Sequence, residues 1–205
     1  MHLLTLIFGI VLLTKAHTLK CNQCDIGNPG SCAVKECPLA GQRCSALRLT
    51  SYAGGSKIMD VTTKSCVMAE ECVEASVNFG ISQTVIKNEC CNSDFCNDKL
   101  SPVPSKTGPN GKKCFQCNGQ DCTATLNCEG TQDHCLSGKV NTGSGTVTLK
   151  GCVSKLLCSP GNQDLTRTMG TDMSCCQGDY CNSASIKSAG ILLLVAPLFS
   201  LVVLS

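Results

Sequence analysis

The chain has no tryptophan, two tyrosines and five phenylalanines in 205 residues. Phe8 and Phe199 lie in terminal apolar runs, which leaves Tyr52, Phe79, Phe95, Phe115 and Tyr180 for everything between. So few large side chains cannot build a core that holds a small domain together without covalent help. Histidine is equally scarce: His2 and His17 precede residue 19, and only His134 follows it. That argues against zinc sites that mix thiolate with imidazole, and leaves a serine or cysteine nucleophile with one base at most. An excess of one charge is missing too. The 17 Lys and Arg stand against 15 Asp and Glu, and loss of Lys15 and Lys187 with the two terminal segments leaves 15 of each. No basic field exists to attract nucleic acid. There is also no Asn-x-Ser/Thr acceptor, because Asn92 is followed by Ser-Asp and Asn141 by Thr-Gly, so no N-linked glycan is expected.

What the chain has in quantity is cysteine, 20 residues or close to a tenth of the sequence, the range of disulfide scaffolds. Thiols at that density persist as disulfides only in an oxidising compartment, and the chain opens in agreement with that. Residues 3–13 are apolar apart from Thr5 and Gly9, a run too short to span a bilayer but suited to a secretory signal. Ala16 and Thr18 fit a cut before Leu19, with a cut after Ala16 as the alternative. The other end, NSASIKSAGILLLVAPLFSLVVLS, has small residues at 182–185, a short polar stretch and an apolar tail with no positive charge after it. This is the pattern of a glycosylphosphatidylinositol (GPI) attachment signal. Ser183 is the expected attachment residue and Asn182 the alternative. Pro197 and the shortness of the tail count against a single-pass helix.

The cysteines form two sets of ten, at 21, 24, 32, 37, 44, 66, 72, 90, 91, 96 and at 114, 117, 122, 128, 135, 152, 158, 175, 176, 181. Both sets open with CxxC and close with CCxxxxCN, as CCNSDFCN at 90–97 and CCQGDYCN at 175–182. The interval lengths between them vary, as surface loops on a common scaffold do. The expected organisation is a signal peptide at 1–18, a domain at 19–100, a linker at 101–113, a domain at 114–182 and an attachment signal at 183–205. The linker, SPVPSKTGPNGKK, is rich in Pro, Gly, Ser and Lys and lacks hydrophobic periodicity.

In the second set, alternating arms at 139–141 and 146–150 flank Gly143-Ser144-Gly145; in the first, arms at 45–50 and 57–62 flank Ala53-Gly54-Gly55. Both predict hairpins, and 83–87 predicts a further strand. Neither half predicts a helix. Neighbouring cysteines such as Cys90 and Cys91 seldom bond to each other, so each pairs elsewhere. Ten cysteines leave too many pairings for spacing alone to select one.

The opening CxxC, the closing CCxxDxCN and the intermediate spacings resemble the lymphocyte-antigen-six and urokinase-receptor (LU) branch of the three-finger fold. The resemblance runs twice over residues 19–182. It implies an all-β, small, disulfide-rich fold of two tandem three-finger domains. It also implies the pairings Cys21–Cys44, Cys24–Cys32, Cys37–Cys66, Cys72–Cys90 and Cys91–Cys96, then Cys114–Cys135, Cys117–Cys122, Cys128–Cys152, Cys158–Cys175 and Cys176–Cys181. Asn97 and Asn182 are expected to hydrogen-bond back to the start of their own domains, and Asp94 and Asp179 to stabilise a tight turn. One departure is that Phe115 fills the aromatic place inside the second CxxC while Asn22 stands in the first.

A catalytic reading of the closing motif fails on composition. Secreted phospholipases place a histidine and an aspartate within such a cysteine pair, and neither copy here has a histidine. A redox role for CxxC needs a helix N-terminus to lower a thiol pKa, and the setting is strand and loop. The expectation is therefore a binding module without cofactor or metal, shown on the outer membrane leaflet through a GPI anchor and meeting an extracellular protein ligand. Its candidate contacts are Tyr52, Lys57, Ile58 and Met59 on the second finger of the first domain and Phe79 and Ile81 on the third. A secreted gamma-type phospholipase inhibitor is the alternative that the resemblance implies.

Overall fold

A computed structural model of the chain describes residues 18–26, 30–99, 101–105, 107–143, 145–158 and 173–183. Among them are eleven strands and three single 3-10 turns, with no α-helix, so the all-β, disulfide-rich class read from the sequence is the class observed. The signal and attachment segments lie outside the described residues, Thr18 and Ser183 excepted. The chain divides into two compact units, Met1–Glu74 with Thr84–Lys106, and Ala75–Gln83 with Thr107–Ser205.

In the first unit, β1 (Leu19–Cys24) pairs antiparallel with β2 (Cys32–Cys37), and β3 (Arg43–Ala53) pairs with β4 (Ser56–Val67). The latter arms are longer than the alternation alone marked out. Their turn is Gly54-Gly55, with φ of +55° and +79°, the left-handed pair that a two-residue hairpin matching strand twist demands. Strand β6 (Ser82–Cys91) lies beside β3, and its Thr84 and Ser51 hydroxyls meet at 2.9 Å. The centre is largely sulfur: Cys21, Cys37 and Cys44 are buried together, with Leu19, Cys66, Cys91 and Cys96 packed around them.

In the second unit, β7 (Pro109–Asn118) and β8 (Asp121–Glu129) form one two-stranded sheet. Strands β9 (His134–Thr142) and β10 (Gly145–Val153) form a hairpin, with β11 (Ser174–Cys176) beside β9. Its buried cluster is Cys114, Cys128, Cys135 and Cys152. This unit also holds most of β5 (Glu74–Asn78), whose Val77 and Asn78 pair with Val153 and Cys152 of β10. Ser76 fastens the pairing by accepting from the Ser154 N–H at 2.9 Å and donating its own N–H to Ser154 Oγ at 2.9 Å. At Gly151 a Cβ would stand 2.0 Å from the Asn78 carbonyl oxygen, so only glycine admits this strand.

The stretch read as linker is more ordered than its composition suggests. Strand β7 begins at Pro109, where the first residue of an edge strand needs no N–H. Ser101 and Pro104 are buried, and Arg48 donates from Nη1 to the Ser101 carbonyl at 3.0 Å.

Candidate protein-binding surface

The two closing motifs are built alike. In the first, Asp94 Oδ1 accepts from the Lys20 N–H at 2.9 Å, and the Phe95 N–H donates to the Lys20 carbonyl at 2.7 Å. Asn97 is buried and makes three bonds: Oδ1 accepts from the Asn22 N–H, and Nδ2 donates to the carbonyls of Asn22 and Ser45. In the second, Asp179 Oδ1 accepts from the Lys113 N–H, and the Tyr180 N–H donates to the Lys113 carbonyl. Buried Asn182 accepts from the Phe115 N–H and donates to the carbonyls of Phe115 and Leu136. Each motif thus fastens the end of its cysteine set to the strand that opens it. The paired Cys90–Cys72 and Cys91–Cys96, and Cys175–Cys158 and Cys176–Cys181, complete the junction.

Two residues that the sequence reading passed over belong to this junction. Lys64 Nζ donates to the carbonyl of Asp98, and Lys150 Nζ to the carbonyl of Ser183. Each lysine stands two places before the sixth cysteine of its set, and each bonds the residue just after the closing asparagine. The repeated offset before Cys66 and Cys152 was the available signal. Ser183 is further held by its N–H, which donates to the Tyr180 carbonyl at 3.0 Å.

The remaining disulfides join Cys21–Cys44, Cys24–Cys32 and Cys37–Cys66 in the first set. In the second they join Cys114–Cys135, Cys117–Cys122 and Cys128–Cys152. The sulfurs of Cys21, Cys37 and Cys66, and those of Cys114, Cys128 and Cys152, lie within 4.8 Å of one another. Every one is already spent in a disulfide, and no cysteine is free, so neither group offers thiolates to a metal. His134 Nδ1 lies 3.0 Å from Asp133 Oδ1 at the start of β9. Burial raises the Asp133 pKa, but the His134 ring and the Lys155 N–H outweigh it and hold the carboxyl below its ordinary range.

With the frame spent on bonding, the second finger of the first unit carries two of that unit's exposed large apolar side chains, Ile58 and Met59. Register across β3 and β4 runs Ser51↔Met59 and then Tyr52↔Lys57, which leaves Ile58 as the extra residue of a β-bulge. A bulge re-aims the side chain it carries, and Ile58 is 66% exposed, with Met59 at 45%. Tyr52 is half-buried and Lys57 exposed. Below them Arg48 donates from Nε and Nη2 to the two oxygens of Asp60, both at 2.7 Å, and Lys57 Nζ donates to Asp60 Oδ2. The Arg48 hydrogen bonds, then that of Lys57, hold the Asp60 carboxyl well below the ordinary carboxylate range, while its partner Arg48 is raised. Two cations share one anion, so the finger carries an apolar tip above a net positive base. Phe79 and Ile81 fall in the second compact unit; Phe79 is half-buried and Ile81 65% exposed.

Residues 17–99 match the family described as u-PAR/Ly-6 domain, and residues 113–182 match the family described as snake toxin and toxin-like protein. The chain carries a u-PAR/Ly-6 domain followed by a snake-toxin-like domain. Over 132 residues it is 27% identical to the urokinase plasminogen activator surface receptor of Mus musculus, covering 59% of this chain and 40% of the receptor. It is 27% identical over 197 residues to Ly6/PLAUR domain-containing protein 8 of Mus musculus, covering 84% of this chain and 74% of that protein. Over 163 residues it is 26% identical to phospholipase A2 inhibitor PIP of Malayopython reticulatus, covering 73% and 81%. The chain thus spans less than half the length of the first receptors it matches. In these two domains the closing Asp and Asn residues serve the frame, and the second finger of the first unit carries exposed apolar side chains on a paired hairpin.

Proposed function

We propose that the chain is a non-enzymatic binding module, displayed on the outer membrane leaflet by a GPI anchor, that engages an extracellular protein through the second finger of its first unit. The observation that carries this reading is the bulged, exposed Ile58 beside Met59 on a disulfide-locked hairpin. The backbone that carries them is already paired across β3 and β4 and needs no ordering on binding, and the Lys57, Asp60 and Arg48 array beneath suits an acidic rim on the partner.

The test is proximity labelling on intact cells with the labelling enzyme fused to the chain. The Ile58→Ser, Met59→Ser double variant, at equal surface level, should lose the principal labelled neighbour; an unchanged labelling pattern would refute the fingertip reading. Phosphatidylinositol-specific phospholipase should release the chain from those cells, and retention would refute the anchor. A second reading, a secreted phospholipase inhibitor, is favoured by the coverage of 81% of the python inhibitor. It requires that the purified chain suppress phospholipase A2 activity.

A further inference from the structure

The two closing motifs differ in one respect that their shared bonding leaves open. In the second, the Tyr180 ring lies 5.0 Å from the Phe115 ring at 47°, and the Lys150 ammonium stands 5.8 Å from the centre of Phe115. Phe115 follows the opening cysteine of its set, and the same place in the first set is Asn22. The surrounding frame is otherwise repeated. Asn22 and Phe115 both donate their N–H to the closing asparagine, and Phe95 and Tyr180 share left-handed backbone at φ 58° and 57°. Lys64 makes the bond that Lys150 makes. The first unit therefore has each part of the second unit's stacked site except the second ring.

That absence leaves Phe95 43% exposed, and among the described residues no ring is paired with it. Nor is the ring's backbone free to turn away, since its N–H is bonded to the Lys20 carbonyl and Asp94 beside it to the Lys20 N–H. Across β1 and β2 the residue opposite Asn22 is Val34, where Phe115 faces Thr125 in the second unit. Directly opposed residues share a sheet face, so Val34 stands on the face of the missing ring. It does not cover the place, being itself 62% exposed. On the same face Lys20 and Glu36 pair at 3.6 Å and supply a charged edge. An apolar spot edged by charge, with a fixed aromatic in it, is the anatomy of a binding hot spot.

We propose that the open place beside Phe95 is a binding site for an aromatic side chain presented by a partner polypeptide. The second unit shows which occupant such a frame takes, because there the chain fills it with its own phenylalanine. A ring set against Phe95 gains the edge-to-face or tilted contact that an aliphatic side chain lacks, worth about fivefold in affinity. The site is distinct from the Ile58 and Met59 tip and stands whether or not that tip binds.

A random heptapeptide display library, panned on the oxidised chain with excess Asn22→Phe chain as competitor, tests this. The competitor supplies the ring from within and so removes peptides that bind elsewhere. Surviving peptides should be enriched in Phe, Tyr or Trp at one position, and should bind Phe95→Asn at least about fivefold more weakly. Asparagine tolerates the left-handed backbone that Phe95 occupies, and both variants should show no free thiol. Binding to the Ile58→Ser, Met59→Ser chain should be unchanged, which separates this claim from the fingertip reading. Survivors without an aromatic residue, survivors that bind Phe95→Asn equally well, or no survivors would each overturn it. Should Asn22→Phe fail to fold, panning without it and ranking clones on wild type against Phe95→Asn gives the same decision.

Discussion

Asn97 and Asn182 each satisfy one backbone N–H and two carbonyls in a buried position. Replacing either by alanine strands those groups, and a stranded buried group costs about 1–3 kcal/mol. Asn97→Ala and Asn182→Ala should each lower stability by about 2–3 kcal/mol in denaturant unfolding of the oxidised chain. Aspartate should not rescue either, because it cannot donate to the two carbonyls. Asp60 gives a pH signature at the same scale. Its pKa is lowered from the ordinary 3.8 by its bonds to Arg48 and Lys57. A depressed carboxyl adds stability that is present in full above the ordinary value and is lost as pH falls through the folded one. Asp60→Asn should therefore cost about 1 kcal/mol at neutral pH. That difference should shrink as pH falls below about 4, which unfolding midpoints of the two proteins across pH 2–7 would reveal.

At the scale of elements, the disulfides differ in what they hold. Cys24–Cys32 closes a separation of 8 residues at the first finger, while Cys37–Cys66 closes 29 and ties that finger to the second. Chain-entropy reasoning gives the longer closure more stabilisation within the usual range of about 2–4 kcal/mol. Paired alanine replacement should then destabilise the first unit more at Cys37 and Cys66 than at Cys24 and Cys32. The two double variants, compared by thermal unfolding, decide it; the reverse order would mean that local strain, not loop closure, dominates. The second finger's arms were legible from alternation and from Gly54-Gly55. The bulge that exposes Ile58 was not, because a one-residue shift in register leaves no mark in composition. Strand β5 beside β10 was hidden for a related reason. Ser76 and Ser154 are 78 residues apart and carry no local pattern that joins them.

For the whole molecule, cysteine supplies what aromatic residues do not. Ten disulfides stand where a hydrophobic core would, and the buried clusters of both units are mostly cystine sulfur. This is why the fold could be read from the sequence: the residues that make the core are one type, unmistakable in spacing and repeated in order. The junction lysines, Lys64 and Lys150, were legible only by laying one cysteine set over the other. The surface was legible only in part: Ile58 and Met59 stand among the contacts expected on the second finger and are exposed, whereas exposure at Phe95 depends on what fails to cover it. A frame fixed by disulfides leaves fingers free to vary and to carry exposed side chains, while within the closing motifs the cysteines, Asp94, Asp179, Asn97 and Asn182 are spent on the frame. The most direct test is flow-cytometric binding of a dimeric soluble form to partner-bearing cells, with Ile58→Ser, Met59→Ser compared against wild type. The account predicts that the variant keeps all its disulfides and its unfolding midpoint yet loses most of its binding. Binding that survives in a variant so folded would contradict it.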